Sequence, residues 1–437
     1  MKHYISSFTC CFLLFSSFVF AQDTLSLSKT SLLQKIVAQN LQLKIAGKNY
    51  ESAKADYQKA AAVFLPQLAV SYTGLTTTNP LMAFGSKLNQ AQVTESDFNP
   101  PLLNHPGSIQ NFATVFEIQQ PLVRLDGLYA RQAAKATMEA QRLQNERASE
   151  LLTLDVLKVY LQLQLAYKAL NVIQHARTSS QAHLRMVENY FKQGLLQKTD
   201  LLNVQVRVTE IENQLQYATS TIQNTSDYLG FVLNETTDGT VYKPSDPLEN
   251  PIPVAAYPTT LPSTRKDFQA LEKTTTAYRQ LLSSSKMGFL PRLNAFGRYE
   301  MYAPHLLGSY ANGYVLGAQL SWSLFDGYTT IGNSTKAKIS FQKSELESLQ
   351  YHKQSELEFH KAHRQLQDAE SKVHLSQLAF AQSQEAYRIR QNRFTQGLEK
   401  TTDLLQAETQ MIQKELEHLQ AVFDYDYTQQ YLQFLTK

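Results

Sequence analysis

The sequence predicts a mixed α and β membrane protein built as an internal tandem repeat, with long helical hairpins alternating with four short strands. Three observations predict this. The stretch Phe191-Lys-Gln-Gly194-Leu195-Leu-Gln-Lys-Thr199-Asp200-Leu-Leu returns as Phe394-Thr-Gln-Gly397-Leu398-Glu-Lys-Thr-Thr402-Asp403-Leu-Leu, offset by 203 residues. Gly after a helical run closes one helix, and Thr or Asp before an apolar run opens the next, so each copy reads as a turn between two helices. Secondly, Leu128 to Gln193 holds neither Gly nor Pro, and Leu154, Leu157, Leu161 and Leu165 recur at helical spacing. Thirdly, four runs of about ten residues alternate apolar with polar side chains, the period of a strand with one greasy face.

Taken in order, the chain opens on an address. Lys2 and His3 precede the apolar run Phe12 to Phe20, and Val19-Phe20-Ala21 supplies a cleavage box before Gln22. Residues 1–21 therefore read as a secretory signal peptide, too short to span a membrane as a helix. Cys10 and Cys11, the only cysteines, lie inside it, so the processed chain is expected to have no disulfide, thiol or lipid anchor. Residues 22–235 form the first structural repeat. It starts with a helix over 24–62, opened by Ser28 or Ser31 and stopped at Phe64-Leu-Pro66. A strand over about 65–76 sets Leu68, Val70 and Tyr72 against Gln67, Ala69, Ser71 and Thr73. Residues 77–110, polar and rich in Asn and Pro, read as a long loop. A second strand, about 111–122, puts Phe112, Phe116 and Ile118 opposite Ala113, Val115, Glu117 and Gln119. Asp126-Gly127 then leads into a helix of about 66 residues, roughly 100 Å at 1.5 Å per residue. Val208, Ile211, Leu215, Ile222 and Leu229 carry the return helix to Leu233 in a heptad-like spacing.

Six prolines within 236–263 mark this stretch as the connector, and the second repeat, 264–437, restarts the programme. A helix covers about 264–287, and Phe289-Leu-Pro291 echoes Phe64-Leu-Pro66. Strands follow at about 291–302 and 314–325. The first alternates Leu293, Ala295, Tyr299 and Met301 with Asn294, Arg298 and Glu300. In the second, Tyr314, Leu316, Ala318, Leu320, Trp322 and Leu324 oppose Gly317, Gln319, Ser321 and Ser323. Asp326-Gly327 repeats Asp126-Gly127, a second long helix reaches the tip turn at 394–405, and Leu405, Ile412, Leu416, Leu419 and Phe423 line its return helix.

Strands of about ten residues are long enough to cross an outer membrane when tilted, and aromatics near their ends suit interfacial girdles. Four strands cannot close a barrel, and lipid tolerates no open sheet edge. The chain must therefore oligomerise. Two copies give eight strands and a filled interior, whereas a homotrimer gives twelve and a usable lumen, surrounded by outer-membrane lipid.

The repeated order of strand, strand, long helix, turn and helix, the paired Phe-Leu-Pro entries and the twin Gly…Thr-Asp-Leu-Leu turns together resemble the TolC-like outer-membrane efflux and secretion channels. The resemblance covers essentially the whole processed chain. It implies a trimeric twelve-stranded barrel continued by a periplasmic α-helical barrel, and a distal gate where the hairpins converge. It also implies docking to a periplasmic adaptor (membrane fusion) protein and an inner-membrane transporter, making the chain the exit duct of a tripartite pump or type I secretion system. In such channels acids just after the second tip turn ring the pore, and Asp403 matches that place, with Asp200 its counterpart in the first repeat. Gly194, Leu195, Thr199, Gly397, Leu398 and Thr402 fall on the turns that adaptors grip. Two positions depart from the family's pattern: Gln406 stands for a second acid, and Glu399, beside Lys400, for a basic residue.

Glu117, Arg298 and Glu300 sit on polar strand faces and become lumen-lining charges in the barrel. His352, Glu356, His360 and His363 lie at helical spacing, but in a segment dense in Lys, Gln and Glu they read as a solvated face rather than a metal site. A formal charge of +3, with both signs interspersed, leaves no basic stripe for nucleic acid. No phosphate loop, nucleophile elbow or His-Glu-x-x-His pattern points to catalysis or a cofactor. The competing class is a structural or adhesive envelope coiled coil anchored by a barrel. The duplicated turns, on long segments that follow the periplasmic ends of the strands, favour the duct.

Overall fold

The structure, a computed structural model, describes residues 24–235, 239–248 and 260–437. Residues 1–21, expected as a signal peptide, lie outside the described residues, as does part of the connector. The chain divides into two compact units: one takes in the chain up to Leu41, Leu152–Ala256 and Ala362–Leu432, the other Gln42–Leu151, Tyr257–Lys361 and Gln433–Lys437.

The second of these units contains the sheet. Strands β2 (Gln67–Thr77), β3 (Ile109–Val123), β5 (Arg292–Ala303) and β6 (Ala311–Ser321) pair antiparallel in the order β2-β3-β5-β6. Residues opposite one another in the register share a face. Leu68 faces Ile118, Val70 faces Phe116, Phe116 faces Tyr299, and Tyr299 faces Tyr314, so one face is apolar across all four strands. It is also bare: Leu68 is 77% exposed, Leu316 73% and Tyr314 74%. The opposite face carries Glu117 across from Arg298, with Ser71, Thr73, Asn294 and Gln319. Among the described residues the outer edges of β2 and β6 pair with nothing.

Helices complete this unit. After α2 (Leu41–Lys59) and a short tight turn, Pro66 releases the chain into β2. Residues 77–110, expected as loop, instead hold α3 (Pro80–Asn89) and a five-residue helix, α4 (Pro100–Asn104). Local capping decides this: Asn79 Oδ1 accepts from Met82 N (3.2 Å), with Pro80 at the first helical position, where a missing N–H costs nothing. Gln90 then ties the end of α3 to the sheet, its amide donating to Gln110 O (2.8 Å) and Asn111 Oδ1 (2.9 Å). Around α7 (Lys266–Met287), Asp267 gathers Arg265 (2.6 Å), Arg147 (3.3 Å) and the Tyr351 hydroxyl (2.9 Å).

The other unit is helical, built from the distal parts of α5 (Leu125–Lys192) and α8 (Thr329–Thr395) with α6 (Lys198–Leu233) and α9 (Thr401–Leu435). Val172, Ile173, Ala176, Ile211, Ala218 and Ile412 form one of its cores, which is where the heptad positions read from the sequence go. Two expectations are corrected here. The helix expected over 24–62 begins as strand β1 (Thr24–Leu27), becomes α1 (Lys29–Gln39) and breaks at Asn40 before α2. Ser28 caps α1 by accepting from Ser31 N (3.2 Å), and buried Asn40 turns its amide onto Val232 O (2.8 Å). Within the connector, Val241–Pro244 (β4) pairs in parallel with β1. The last strand also closes earlier than expected, at Ser321; Trp322 lies beyond it and donates from Nε1 to Phe289 O (3.0 Å).

The two Asp-Gly entries diverge. Gly327 takes φ +63° and Asp326 Oδ2 accepts from Thr330 N (2.9 Å), so α8 starts only at Thr329. Gly127 is already helical and lies against Val63, where a Cβ would come within 2.2 Å of Val63 Cγ2. A branched side chain cannot swing away cheaply. Overpacking of this kind costs about 1–3 kcal/mol, against roughly 1 kcal/mol gained from alanine's helix propensity. Gly127→Ala should therefore lower the thermal unfolding midpoint of the full-length protein, and adding Val63→Ala should recover most of the loss.

Candidate functional site

Both tip turns close in the same way. Gly194 N donates to Phe191 O (2.9 Å) and Leu195 N to Tyr190 O (2.9 Å); Gly397 N donates to Phe394 O (2.9 Å) and Leu398 N to Arg393 O (2.9 Å). Both glycines sit at φ +73°, a left-handed conformation that strains any residue with a Cβ. These paired bonds satisfy the last carbonyls of α5 and α8 and reverse the chain within five residues. Leu195 and Leu398 consequently stand proud of the turns, 68% and 62% exposed.

The turns meet across a shared core. Val187, Val204, Tyr387, Phe394, Leu404 and Ala407 are buried together, and the Tyr190 and Phe394 rings are 6.4 Å apart. The repeat is asymmetric at this point, for Phe394 is 3% exposed whereas its counterpart Phe191 is 38% exposed.

The two aspartates do different work. Asp200 Oδ2 accepts from Gln197 N (3.1 Å), so it closes a capping box inside the first turn of α6, with Gln197 rather than Thr199 as the cap. Asp403 stands half-exposed, with Thr402 Oγ1 at 3.5 Å and Arg390 Nη1 at 3.9 Å. Sequence reasoning missed its neighbour. Glu399, noted there only as a departure from the family's pattern, accepts from Arg390 Nη1 (2.9 Å) and Arg393 Nε (2.9 Å), and its carboxylate is largely covered. Arg393 Nη2 also reaches Leu398 O (3.3 Å). The signal was available: cations three residues apart in the last turn of a helix suit its negative end and an acid just beyond.

In the sheet, Arg298 reaches Glu117 (3.5 Å) and Glu300 (3.6 Å), so the three candidate charges form one cluster on one face. Tyr302 donates to Glu300 (2.7 Å) and Gln119 to Glu117 (2.6 Å). His352 packs its ring on Phe268 with centroids 4.0 Å apart, and among the described residues no group of three His, Cys, Asp or Glu is placed to hold a metal ion. No helix among them is long and apolar enough to cross a membrane.

Comparison with known proteins gives concordant findings. No curated protein matches the chain by sequence. Among solved structures, CusC, described for the conformational changes that accompany folding and transmembrane channel formation, superposes with a TM-score of 0.80 at 16% identity, covering 93% of this chain and 91% of that one. VceC of Vibrio cholerae gives 0.78 at 16%, over 92% and 95% of the two chains. The CmeC outer membrane channel of Campylobacter jejuni gives 0.81 at 16%, over 93% and 85%. At such identity the likeness speaks for the fold. The family described as outer membrane efflux protein matches residues 32–235 and 259–436, two blocks that flank the connector as a tandem repeat should. The chain therefore belongs to the outer membrane efflux protein family, channels rather than enzymes, which sit in the outer membrane and extend into the periplasm.

Proposed function

We propose that three copies of this chain close one twelve-stranded barrel, and that the assembly is the exit duct of a tripartite efflux pump or type I secretion system. A periplasmic adaptor grips the tip turns, and an inner-membrane transporter supplies both the substrate and the energy. The duct itself conducts passively. One observation carries the reading: a four-stranded sheet with an apolar, exposed face and two unpaired edges. Such a sheet is stable in lipid only when its edges are closed by further copies. In that arrangement the face bearing Glu117, Arg298 and Glu300 lines water.

The gate is assigned to the second turn. Asp403 is not consumed by a capping box, as Asp200 is, and in a three-fold assembly it repeats as a ring of carboxylates. Such rings favour cations over anions. Glu399 with Arg390 and Arg393 holds that turn in one shape.

In planar bilayers the purified protein should show small, cation-selective openings, and Asp403→Ala should weaken both the selectivity and block by multivalent cations. Large, unselective currents untouched by Asp403→Ala would put the constriction elsewhere, and a folded trimer without conductance would remove the duct reading altogether. Glu399→Gln should act differently. Because its arginine partners are about half exposed, it should cost the fold no more than about 1 kcal/mol. It should nevertheless raise the fraction of time the channel is open, recorded in the same bilayers; unchanged openings would leave the pair a purely local brace.

A further inference from the structure

Behind the two turns, the four helices send polar side chains into a layer closed from solvent. Ser179 and His183 come from α5, Arg207 from α6, Tyr387 from α8 and Glu408 from α9. Glu408 is 1% exposed, His183 3% and Arg207 6%. The Tyr387 hydroxyl lies 2.8 Å from His183 Nε2 and 3.1 Å from Ser179 Oγ, and Glu408 Oε1 lies 3.9 Å from His183 Nε2. Neither carboxylate oxygen of Glu408 has a hydrogen-bond partner, nor has His183 Nδ1 or Arg207 Nε. Each of these approaches joins α5 to α8 or α9, the first hairpin to the second. The layer exists only while the hairpins are packed.

We propose that this layer is a proton-linked tie between the two hairpins, in which Glu408 and His183 hold one proton between them while packed and change their proton count when the hairpins part. Burial pushes the Glu408 carboxyl above the usual carboxylate range, and the Ser179 hydroxyl, close by but outside hydrogen-bonding geometry, and then the Arg207 guanidinium draw it only part of the way back. Burial likewise pushes the His183 imidazole down. The other groups facing the pair do not switch in this range. Arg207 leans on exposed Glu210 (3.2 Å), and the Tyr387 phenol is raised by burial. Both shifts favour one arrangement in the packed state, the proton on Glu408 and the His183 imidazole neutral. Freed into water, the same two groups carry two protons below about pH 4.3, one between about 4.3 and 6.5, and none above. Parting the hairpins takes up a proton in acid and releases one above the ordinary imidazole range. The tie is therefore strongest in mildly acid solution and weakens towards neutral and alkaline pH for as long as packed Glu408 keeps its proton. A second layer extends the seam: Glu415, seven residues after Glu408, is also pushed up by burial, with His175 beside it.

The test reads distance rather than current. Nitroxide labels at Lys192→Cys and Thr395→Cys mark the ends of α5 and α8, one on each hairpin, and no other thiol remains once the leader is removed. Pulsed dipolar EPR on the full-length protein in nanodiscs should give a narrow distribution at pH 5.5 and a longer, broader one at pH 8. In Glu408→Gln only His183 of the pair still titrates, taking up a proton on parting at pH 5.5 and none at pH 8, so the lengthening at pH 8 should be lost or reversed, any remainder belonging to Glu415. Identical wild-type distributions at the two pH values would overturn the proposal, as would an undiminished shift in Glu408→Gln. A thermal melt at pH 5.5 verifies that the variant folds, with Glu408→Leu as the substitute if it does not. That the tie serves a gate rests on the duct reading, and conductance separates the two. Distances that follow pH in a channel whose openings do not would keep the tie and discard the gate; pH-dependent openings at fixed distances would do the reverse.

Discussion

A backbone N–H or C=O in hydrocarbon must be paired, and that requirement shapes this chain more than any single contact. Four strands of 11 to 15 residues leave two raw edges, on β2 and β6, and β6 presents Tyr314, Leu316 and Leu320 to whatever surrounds it. In water such a sheet would be an aggregation hazard. In lipid the greasy face is satisfied at once, but the edges are not. The polar face, with Arg298 held between two glutamates, needs water on the other side. One sheet cannot meet all three demands alone. The closure by further copies proposed above would meet them, pairing the edges and enclosing water while the apolar face is left to lipid.

Duplication supplied the parts, and divergence gave them separate tasks. Gly127 and Gly327 follow the same aspartate, yet one is squeezed against Val63 inside a helix while the other bends the chain at φ +63° before its helix begins. Asp200 and Asp403 share a register, but Asp200 spends its carboxylate on Gln197 N and Asp403 leaves its own facing Arg390. The first repeat builds a capped helical excursion over 77–110, where the second allows only a short link between β5 and β6. Equal sequence motifs thus set equal turns, and their neighbours decide what each turn can do.

What could be read from the sequence follows from the range of the forces involved. Strand alternation, helix length and the glycine turns are local, and they placed all four sheet strands, the long helices and both reversals within a few residues. The breaks were not local. Asn40 leaves the helix because its amide finds Val232 O, 192 residues away, and β1 becomes a strand because Val241–Pro244 lies beside it. The helix over 80–89 was within reach of the sequence, since Asn79-Pro80 is a helix start, but the density of Asn and Pro reads equally as loop. At the candidate site, Asp403 could be named as a candidate only because the family resemblance puts an acid just after the second turn. The anchoring of Glu399 depends on two arginines from the preceding helix and becomes visible only once the turn brings them back.

The seam between the hairpins shows the same logic in energetic terms. Val172, Ile211 and Ile412 pack on one side of the polar layer, and Val204, Leu404 and Phe394 on the other, so apolar side chains of the right size would fill the space between them. Replacing buried ionisable groups by well-packed hydrophobic ones is often neutral or stabilising, so Glu408 and His183 are not there for strength. A carboxyl that is 1% exposed and without a donor makes this a weak section of the seam, between apolar layers on either side. It is weak towards separation in particular, because parting the hairpins restores water to both groups, whereas parting the layers on either side only exposes oil. A bundle that had merely to stay shut would gain nothing from such a layer; one whose turns must come apart and close again gains a place to begin.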